Sequence, residues 1–242
     1  MKDPRPLRLM IYDRTCTADF PRPGASSREP GSASVRDRLL RRAGELLEGA
    51  PWPGLSHSWW AGGVLYSTLG RLDDWRGFSS WGAALEWLAE HRGDEAIAEI
   101  QFWGHGKWGC AKIGEESLDL DVLDTAHEHH DKLLAIRERL RRRGELPPLW
   151  WFRTCETFGA QPGHEFARAW AEFFGCRAAG HTYVIGPYQS GLHTIEPGET
   201  PGWSVDEGLI EGTADAPRKA RWSAWREPNT ITCLHGSIPA GF

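Results

Sequence analysis

The chain has 242 residues, of which 40% are hydrophobic and 25% are charged, and its formal net charge is −5 at pH 7. This length fits one large domain with a substantial core, and the charge gives no electrostatic reason to expect nucleic acid or an anionic membrane as a partner. The five cysteines are scattered and contain no C-x-x-C pair, which argues against a disulfide framework and favours a reducing compartment. Because no signal-peptide core and no apolar run of membrane-spanning length is found, we expect a cytoplasmic protein.

The first half of the chain alternates predicted strands and helices. In chain order these are a strand at Leu7–Tyr12, a mobile loop over 16–33, a helix from Ser34 to Leu47, a strand at Ser58–Tyr66, a short helix beginning at Ser79 or Ser80, and a strand at Ile97–Trp103. Strands that alternate with helices favour a doubly wound α/β fold with a mostly parallel sheet.

The second half continues this alternation and then becomes irregular. We predict a hairpin from Cys110–Ile113 and Ser117–Leu120, a long helix over 122–143, a strand at Leu149–Thr154, a helix at Gly163–Phe174, strand segments at Cys176–Ile185 and Ser190–Ile195, and a loop-rich C-terminal extension over 196–242 with a closing strand at Thr230–Leu234. Gly175 occupies the position of a left-handed helix end. We find no internal repeat and no domain boundary, so the sequence predicts a single domain over 1–242.

Each of two stretches, 101–106 and 150–157, contains an apolar strand that stops on a polar residue able to do chemistry. The first delivers His105 and the second delivers Cys155. Parallel sheets place their active sites at the carboxyl ends of their strands, so neighbouring strands would bring these side chains together. A thiol becomes an effective nucleophile when an imidazole within hydrogen-bond reach takes its proton. We therefore predict a Cys155–His105 dyad for acyl transfer, with the N–H groups of Gly106 and Cys155 as oxyanion donors.

The first of these two predicted strands ends in Gly104-His105-Gly106 and the second in Arg153-Thr154-Cys155, so that the cysteine follows the histidine by 50 residues. This arrangement resembles the caspase-type cysteine peptidases. That wider family includes caspases, metacaspases, gingipains, separases and the bacterial CHAT proteins. The resemblance implies a three-layer α/β/α sandwich and a cysteine endopeptidase that acts on protein or peptide substrates without a cofactor. This chain departs from the caspase signature, since Glu156-Thr157 follows the cysteine where caspases have x-Gly.

The resemblance also implies substrate-binding positions. In the family, the residue two before the nucleophile lines the primary specificity pocket, and here that residue is Arg153. A guanidinium there, joined by Arg14 from the end of the first strand, predicts a preference for an acidic residue before the cut. The alternative is a structural ion pair between Arg153 and Glu156 or Asp13. Ser190 and Gly191 are candidates for a strand edge that pairs with an extended substrate.

Other interpretations of the sequence lead to different functions. The same fold could serve as a catalytically inactive binding or regulatory module, or the 14 tryptophans could include a surface platform for carbohydrate. Most tryptophans lie in apolar-periodic segments, which favours core positions. The run His127-Glu128-His129-His130 lacks the spacing that puts two metal ligands on one helical face, so we predict no metal site. The sequence leaves the oligomeric state open.

Overall fold

The computed structural model describes residues 5–16, 54–141 and 147–241. The strands are β1 (Leu7–Asp13), β2 (Asp74–Phe78), β3 (Ile97–Trp103), β4 (His105–Lys107), β5 (Cys110–Ile113), β6 (Glu116–Leu118), β7 (Leu149–Arg153), β8 (Arg177–His181), β9 (Tyr188–Gln189), β10 (Leu192–Ile195), β11 (Leu209–Gly212), β12 (Pro217–Ala220) and β13 (Ile231–Thr232). The helices of the described residues are α1 (Leu55–Thr68), α2 (Trp81–Glu90), α3 (His130–Arg141) and α4 (Ala160–Phe174), with a 3-10 turn at Leu120–Leu123.

A six-stranded sheet in the order β10-β8-β7-β3-β1-β2 forms the centre of the molecule. Its strands pair in parallel except β10, which runs antiparallel to β8. The chain is thus mixed α/β with a mostly parallel sheet, as the alternating pattern predicted. The small strands β4, β5 and β6 form a separate antiparallel sheet that follows β3 directly.

The two faces of the central sheet bury different sets of side chains. Along β1, Leu7, Leu9 and Ile11 belong to the large core that also holds the buried residues of α2, α3 and α4. Met10 and Tyr12 point the other way, into a smaller core with residues of α1, because successive side chains of a strand alternate between faces. Each face of the sheet is therefore packed against at least one helix.

Tryptophans contribute mainly to these cores, as expected. Among the described residues, six are buried, namely Trp81, Trp103, Trp150, Trp151, Trp170 and Trp203. Three others, Trp60, Trp222 and Trp225, are the exposed ones. None of the described helices is long and apolar enough to cross a membrane.

The predicted strand at Ser58–Tyr66 is wrong, because these residues form part of α1. Four residues of α1 have the helical spacing i, i+3, i+4 and i+7, namely Trp59, Gly62, Gly63 and Tyr66. Because two of the four are glycines, the hydrophobic periodicity of a helix is not visible in the sequence. A Cβ on Gly62 would overlap the Trp103 ring, and one on Gly63 would come within 2.6 Å of Trp75. The glycines therefore let α1 lie directly on the tryptophans of the sheet.

The second strand of the sheet is instead β2, which the sequence did not predict. Its five residues, Asp-Trp-Arg-Gly-Phe, are mostly half-buried or exposed at the sheet edge. They lack the apolar run or strict alternation that identifies a strand.

The sequence predicted two helix ends correctly but overestimated the length of one helix. Ser80 caps α2 by accepting a hydrogen bond from the Ala83 N–H at 3.3 Å, and Gly175 ends α4 with a left-handed φ of 62°. The predicted helix over 122–143 is too long, since α3 begins only at His130. Before it, the Asp124 side chain accepts the Ala126 N–H, a local bond that competes with helix formation.

Strands β8, β10 and β13 are shorter than predicted and lie inside the expected segments. Strands β11 and β12 form a hairpin within 196–242, where the sequence predicted a loop-rich extension. The predicted helix from Ser34 to Leu47, and the predicted loop beyond Cys16, lie outside the described residues.

Candidate active site

His105 and Cys155 follow neighbouring strands at the same level of the sheet. β3 and β7 pair in parallel, with Trp103 opposite Arg153 in the last step of the register. His105 and Cys155 each stand two residues beyond that step, so they leave the sheet at the same edge. The prediction that their two strands lie side by side is confirmed.

Both residues line one cavity of about 500 Å³. Its walls come from α1, from the ends of β3 and β7, from 185–189 and from the C-terminal residues Cys233 and Leu234. Arg153 lines the same cavity. Most of the wall is apolar or aromatic, with Leu55, Trp59, Leu65, Tyr66, Trp103, Ile185 and Pro187 among the lining residues. The cavity is large enough to hold a substrate side chain next to the thiol.

The Cys155 thiol is mostly shielded from solvent and donates a weak hydrogen bond to the Ile185 carbonyl oxygen, with the sulfur 3.9 Å from that oxygen. Burial raises the pKa of the Cys155 thiol to about 11, and the neighbouring Glu156 carboxylate adds to the rise, whereas the Lys107 charge acts in the opposite direction. At neutral pH the resting thiol is therefore protonated, and reaction requires a base to remove its proton.

The His105 ring lies edge-on to Trp59 of α1, with ring centroids 5.4 Å apart and an interplanar angle of 80°. This T-shaped contact is a favourable aromatic geometry, and it restrains the imidazole on the side of the cavity formed by α1. Helix α1 thus contributes to positioning the candidate base. The sequence did not predict this role, because it predicted a strand for these residues.

The turn after β7 is tightly built. Glu156 has a left-handed φ of 57°, its N–H donates to the Tyr183 carbonyl oxygen, and the hydroxyls of Thr154 and Thr157 are hydrogen-bonded to each other. A left-handed non-glycine residue costs about 1–3 kcal/mol and clusters at functional sites. The strain of this backbone lies directly beside the thiol.

Gly106 lies against that turn. A Cβ at this position would come within 2.6 Å of the Cys155 carbonyl oxygen and would overlap the Thr157 hydroxyl. Only a glycine therefore allows β4 to approach the turn so closely. The predicted oxyanion role of the Gly106 and Cys155 N–H groups stays a prediction.

Arg153 is buried at 2% exposure. Its guanidinium lies between the Trp103 and Trp151 rings, 4.4 Å from each centroid, and burial lowers its pKa. The five N–H groups find acceptors in the Gln189 side chain, the Tyr66 hydroxyl and two carbonyl oxygens of the C-terminal segment, those of Cys233 and His235.

No carboxylate of the described residues forms an ion pair with Arg153. The alternative pairing with Glu156 or Asp13 is wrong, because Glu156 pairs with Lys107 at 2.9 Å and the Asp13 carboxylate accepts hydrogen bonds from Thr15 and Gly114. Among the described residues, the hydrogen-bond acceptors of this buried positive charge are thus all neutral, and the Glu99 carboxylate interacts with it electrostatically from beyond ion-pair distance.

Arg14 does not join Arg153. It is exposed and lines a different cavity of about 440 Å³ between the ends of β1 and β2 and helix α2. The prediction that both arginines share one pocket is wrong, because β3 separates β1 from β7 in the sheet.

Ser190 and Gly191 do not form an open edge. Both are buried, and their N–H groups donate to the Ser223 hydroxyl and the Pro228 carbonyl oxygen. Their carbonyl oxygens accept from the His181 ring and the Thr182 N–H. These backbone groups are already paired within the chain, so the predicted edge for a substrate strand is not available there.

Sequence reasoning missed several residues of the cavity, above all Tyr66, Gln189 and Cys233. The Tyr66 hydroxyl donates to the Cys233 carbonyl oxygen at 2.6 Å, and so α1 is tied to the C-terminal segment across the cavity. These contacts join residues far apart in the chain, and no local pattern signals them.

No protein-family model matches the chain, and no curated protein matches it. The function of the site is therefore inferred from its own geometry and chemistry.

Proposed function

We propose that the chain is a cysteine endopeptidase with a caspase-like three-layer α/β/α fold, in which Cys155 is the nucleophile and His105 is the general base and acid. One observation carries this proposal. The two residues follow adjacent parallel strands at the same register and line one cavity. This is the arrangement that a nucleophile and its base require at the carboxyl edge of a parallel sheet.

The proposed reaction begins with a protonated thiol. His105 takes the thiol proton as the sulfur attacks the carbonyl carbon of the substrate, and the carbonyl oxygen becomes an oxyanion held by the Gly106 and Cys155 N–H groups. The resulting imidazolium then gives its proton to the leaving amine, and the C–N bond breaks. Water, deprotonated by His105, releases the acid from the thioester and restores the thiol.

We propose that the cavity favours an acidic side chain before the cut. The support is the buried Arg153 charge, which lines the cavity and forms no direct ion pair with a carboxylate of the described residues. Two of its N–H groups share the neutral Gln189 side-chain oxygen. A substrate carboxylate would take the place of this acceptor and form a charge-assisted, two-pronged pair. Fluorogenic peptides that end in Asp, Glu, Arg, Lys or Leu test this, and faster cleavage after Arg, Lys or Leu than after Asp or Glu would contradict it.

The test of the dyad is labelling by a thiol-directed peptide electrophile together with peptide cleavage. We expect label on Cys155, loss of label and of cleavage in Cys155→Ala, and loss of cleavage in His105→Ala. Cys110→Ala is the matched control, because Cys110 is also a partly buried cysteine and is not among the residues that line the cavity. Cleavage that persists in Cys155→Ala would contradict the proposal.

The resting thiol favours a second candidate, a catalytically inactive binding module of the same fold. The Cys155 thiol bonds to the Ile185 carbonyl oxygen rather than to His105, and burial raises its pKa to about 11. A binding module would show no cleavage in the wild-type chain and would bind peptides equally well in Cys155→Ala. Peptide binding to both proteins, measured beside cleavage, separates the two functions.

A further inference from the structure

The strand that carries the candidate base also carries a lysine. His105 and Lys107 stand two residues apart in β4, so their side chains leave the strand on the same face. Lys107 Nζ lies 2.9 Å from Glu156 Oε2, and Glu156 directly follows Cys155. Between His105 and Lys107, the Gly106 backbone is in close contact with the Cys155 carbonyl oxygen. Gly106 and Lys107 of β4 are thus placed against, or paired with, the turn that carries the thiol.

Glu156 cannot easily exchange its partner for water. Its side chain is 3% exposed, whereas that of Lys107 is 52% exposed. The left-handed backbone of Glu156 and its N–H bond to Tyr183 fix the residue in place. Lys107 itself is steadied by the Trp108 ring, 4.5 Å from Nζ. Within the described part of the chain, this nearly buried carboxylate beside the thiol therefore takes its counter-charge from one partly exposed lysine.

We infer that Lys107 is a positioning residue for the dyad: its ion pair with Glu156 holds the Cys155 turn against the His105 strand and offsets a negative charge that opposes thiolate formation. This inference rests on the proposed function, because it assigns Lys107 a role in that dyad. The electrostatic part has the expected direction, since the Glu156 charge raises the pKa of the Cys155 thiol and the Lys107 charge lowers it.

The test compares Lys107→Met, Lys107→Arg, Glu156→Gln and the double variant Lys107→Met/Glu156→Gln. The rate of iodoacetamide alkylation at Cys155 is followed at pH 8.5 by peptide mapping, beside far-UV circular dichroism. We expect Lys107→Met to slow alkylation about threefold to tenfold and Glu156→Gln to speed it by a similar factor. The alkylation rate of Lys107→Arg should stay within about twofold of the wild-type rate. The rate of the double variant should lie closer to the wild-type rate than that of either single variant.

Opposite signs for the two single variants distinguish a charge effect from simple loosening of the structure, which would change both rates in the same direction. Equal rates in all variants, or changes of the same sign, would overturn the inference. The control is Lys219→Met, which removes an exposed lysine paired with Glu211 at 3.3 Å in the β11–β12 hairpin and should leave alkylation unchanged.

Peptide cleavage separates this inference from the proposed function. If the wild type cleaves, Lys107→Met should lower kcat with little change in KM, because Lys107 does not line the cavity. If the wild type cleaves no peptide while the alkylation rates still move in opposite directions, the peptidase proposal fails and the charge effect of Lys107 on the thiol stands.

Discussion

At the scale of single residues, the environment of Cys155 determines how its thiol reacts. Burial is the largest cause of its raised pKa, and the nearby opposite charge of Lys107 only partly compensates. The site is thus built for proton transfer during attack rather than for a preformed thiolate. A His105 that accepts the proton only when a substrate is bound fits this arrangement.

The first prediction is that alkylation of Cys155 by iodoacetamide rises with pH throughout the range from 7 to about 10. The reason is that burial raises the pKa of this thiol to about 11, so the thiolate fraction grows tenfold for each pH unit below that value. Intact-mass or peptide-mapping kinetics in the wild type and in Cys155→Ala measure this. A rate that is already level between pH 6 and 8 would show a preformed thiolate and contradict the prediction.

The second prediction concerns the buried guanidinium of Arg153. In Arg153→Met, acceptors such as the Gln189 side chain and the His235 carbonyl oxygen lose their donor, and we expect unfolding free energy to fall by about 2–4 kcal/mol. Urea unfolding measures this change. The exposed Arg14 supplies the control, since Arg14→Met should change the unfolding free energy by no more than about 0.5 kcal/mol. Equal effects of the two substitutions would contradict the structural role of Arg153.

At the scale of elements, α1 has two tasks, because it covers one face of the sheet and also forms a wall of the cavity. Its Trp59 contacts the His105 ring and its Tyr66 reaches the C-terminal segment. The close approach that makes these contacts possible depends on the two glycines of the helix.

The third prediction follows from that packing. Alanine is favoured over glycine in a helix by about 1 kcal/mol, yet Gly62→Ala should lower the unfolding free energy by about 1–3 kcal/mol, because the new Cβ overlaps the buried Trp103 ring. Gly82→Ala in α2 is the matched control. Its Cβ would meet only ordinary contacts, the nearest being a His129 ring carbon at 3.4 Å, so its stability should stay equal or rise. Thermal or urea unfolding of both variants tests the pair.

At the scale of the whole molecule, buried histidines make stability depend on pH. His181 at the end of β8 is fully buried, and its Nδ1 is bonded to the Ser190 carbonyl oxygen. Burial lowers the pKa of His181 to about 3, whereas an unfolded histidine has a pKa near 6.5. The unfolded chain therefore binds more protons between these values, and the fold loses stability as pH falls below about 6.5.

The fourth prediction is that unfolding free energy decreases between pH 6 and pH 4 with a slope of up to about 1.4 kcal/mol per pH unit from His181. Burial also lowers the pKa of His129 and of His164, which adds to the slope in the same direction. Urea unfolding at several pH values in the wild type and in His181→Leu measures the contribution. An identical slope in both proteins would contradict it.

Local patterns were enough to predict the parts of the fold that depend on neighbouring residues. Ser80 begins α2, Gly175 ends α4, and β3 and β7 stand where the apolar runs placed them. The same patterns failed at α1, because two of its inward-facing positions are glycines, and at the start of α3, where side-chain bonds to the backbone shorten the helix.

The sequence by itself determined that His105 and Cys155 each follow a buried strand, because an apolar run that stops on a polar residue is a local signal. Only the tertiary structure decided which side chains surround them. The acceptors of Arg153 lie up to 87 residues away in the chain. Ser190 and Gly191 are covered by later segments, and α1 forms one wall of the cavity as a helix. Such contacts arise from packing between segments that are distant in the chain, and the spacing of residues along the chain does not predict them.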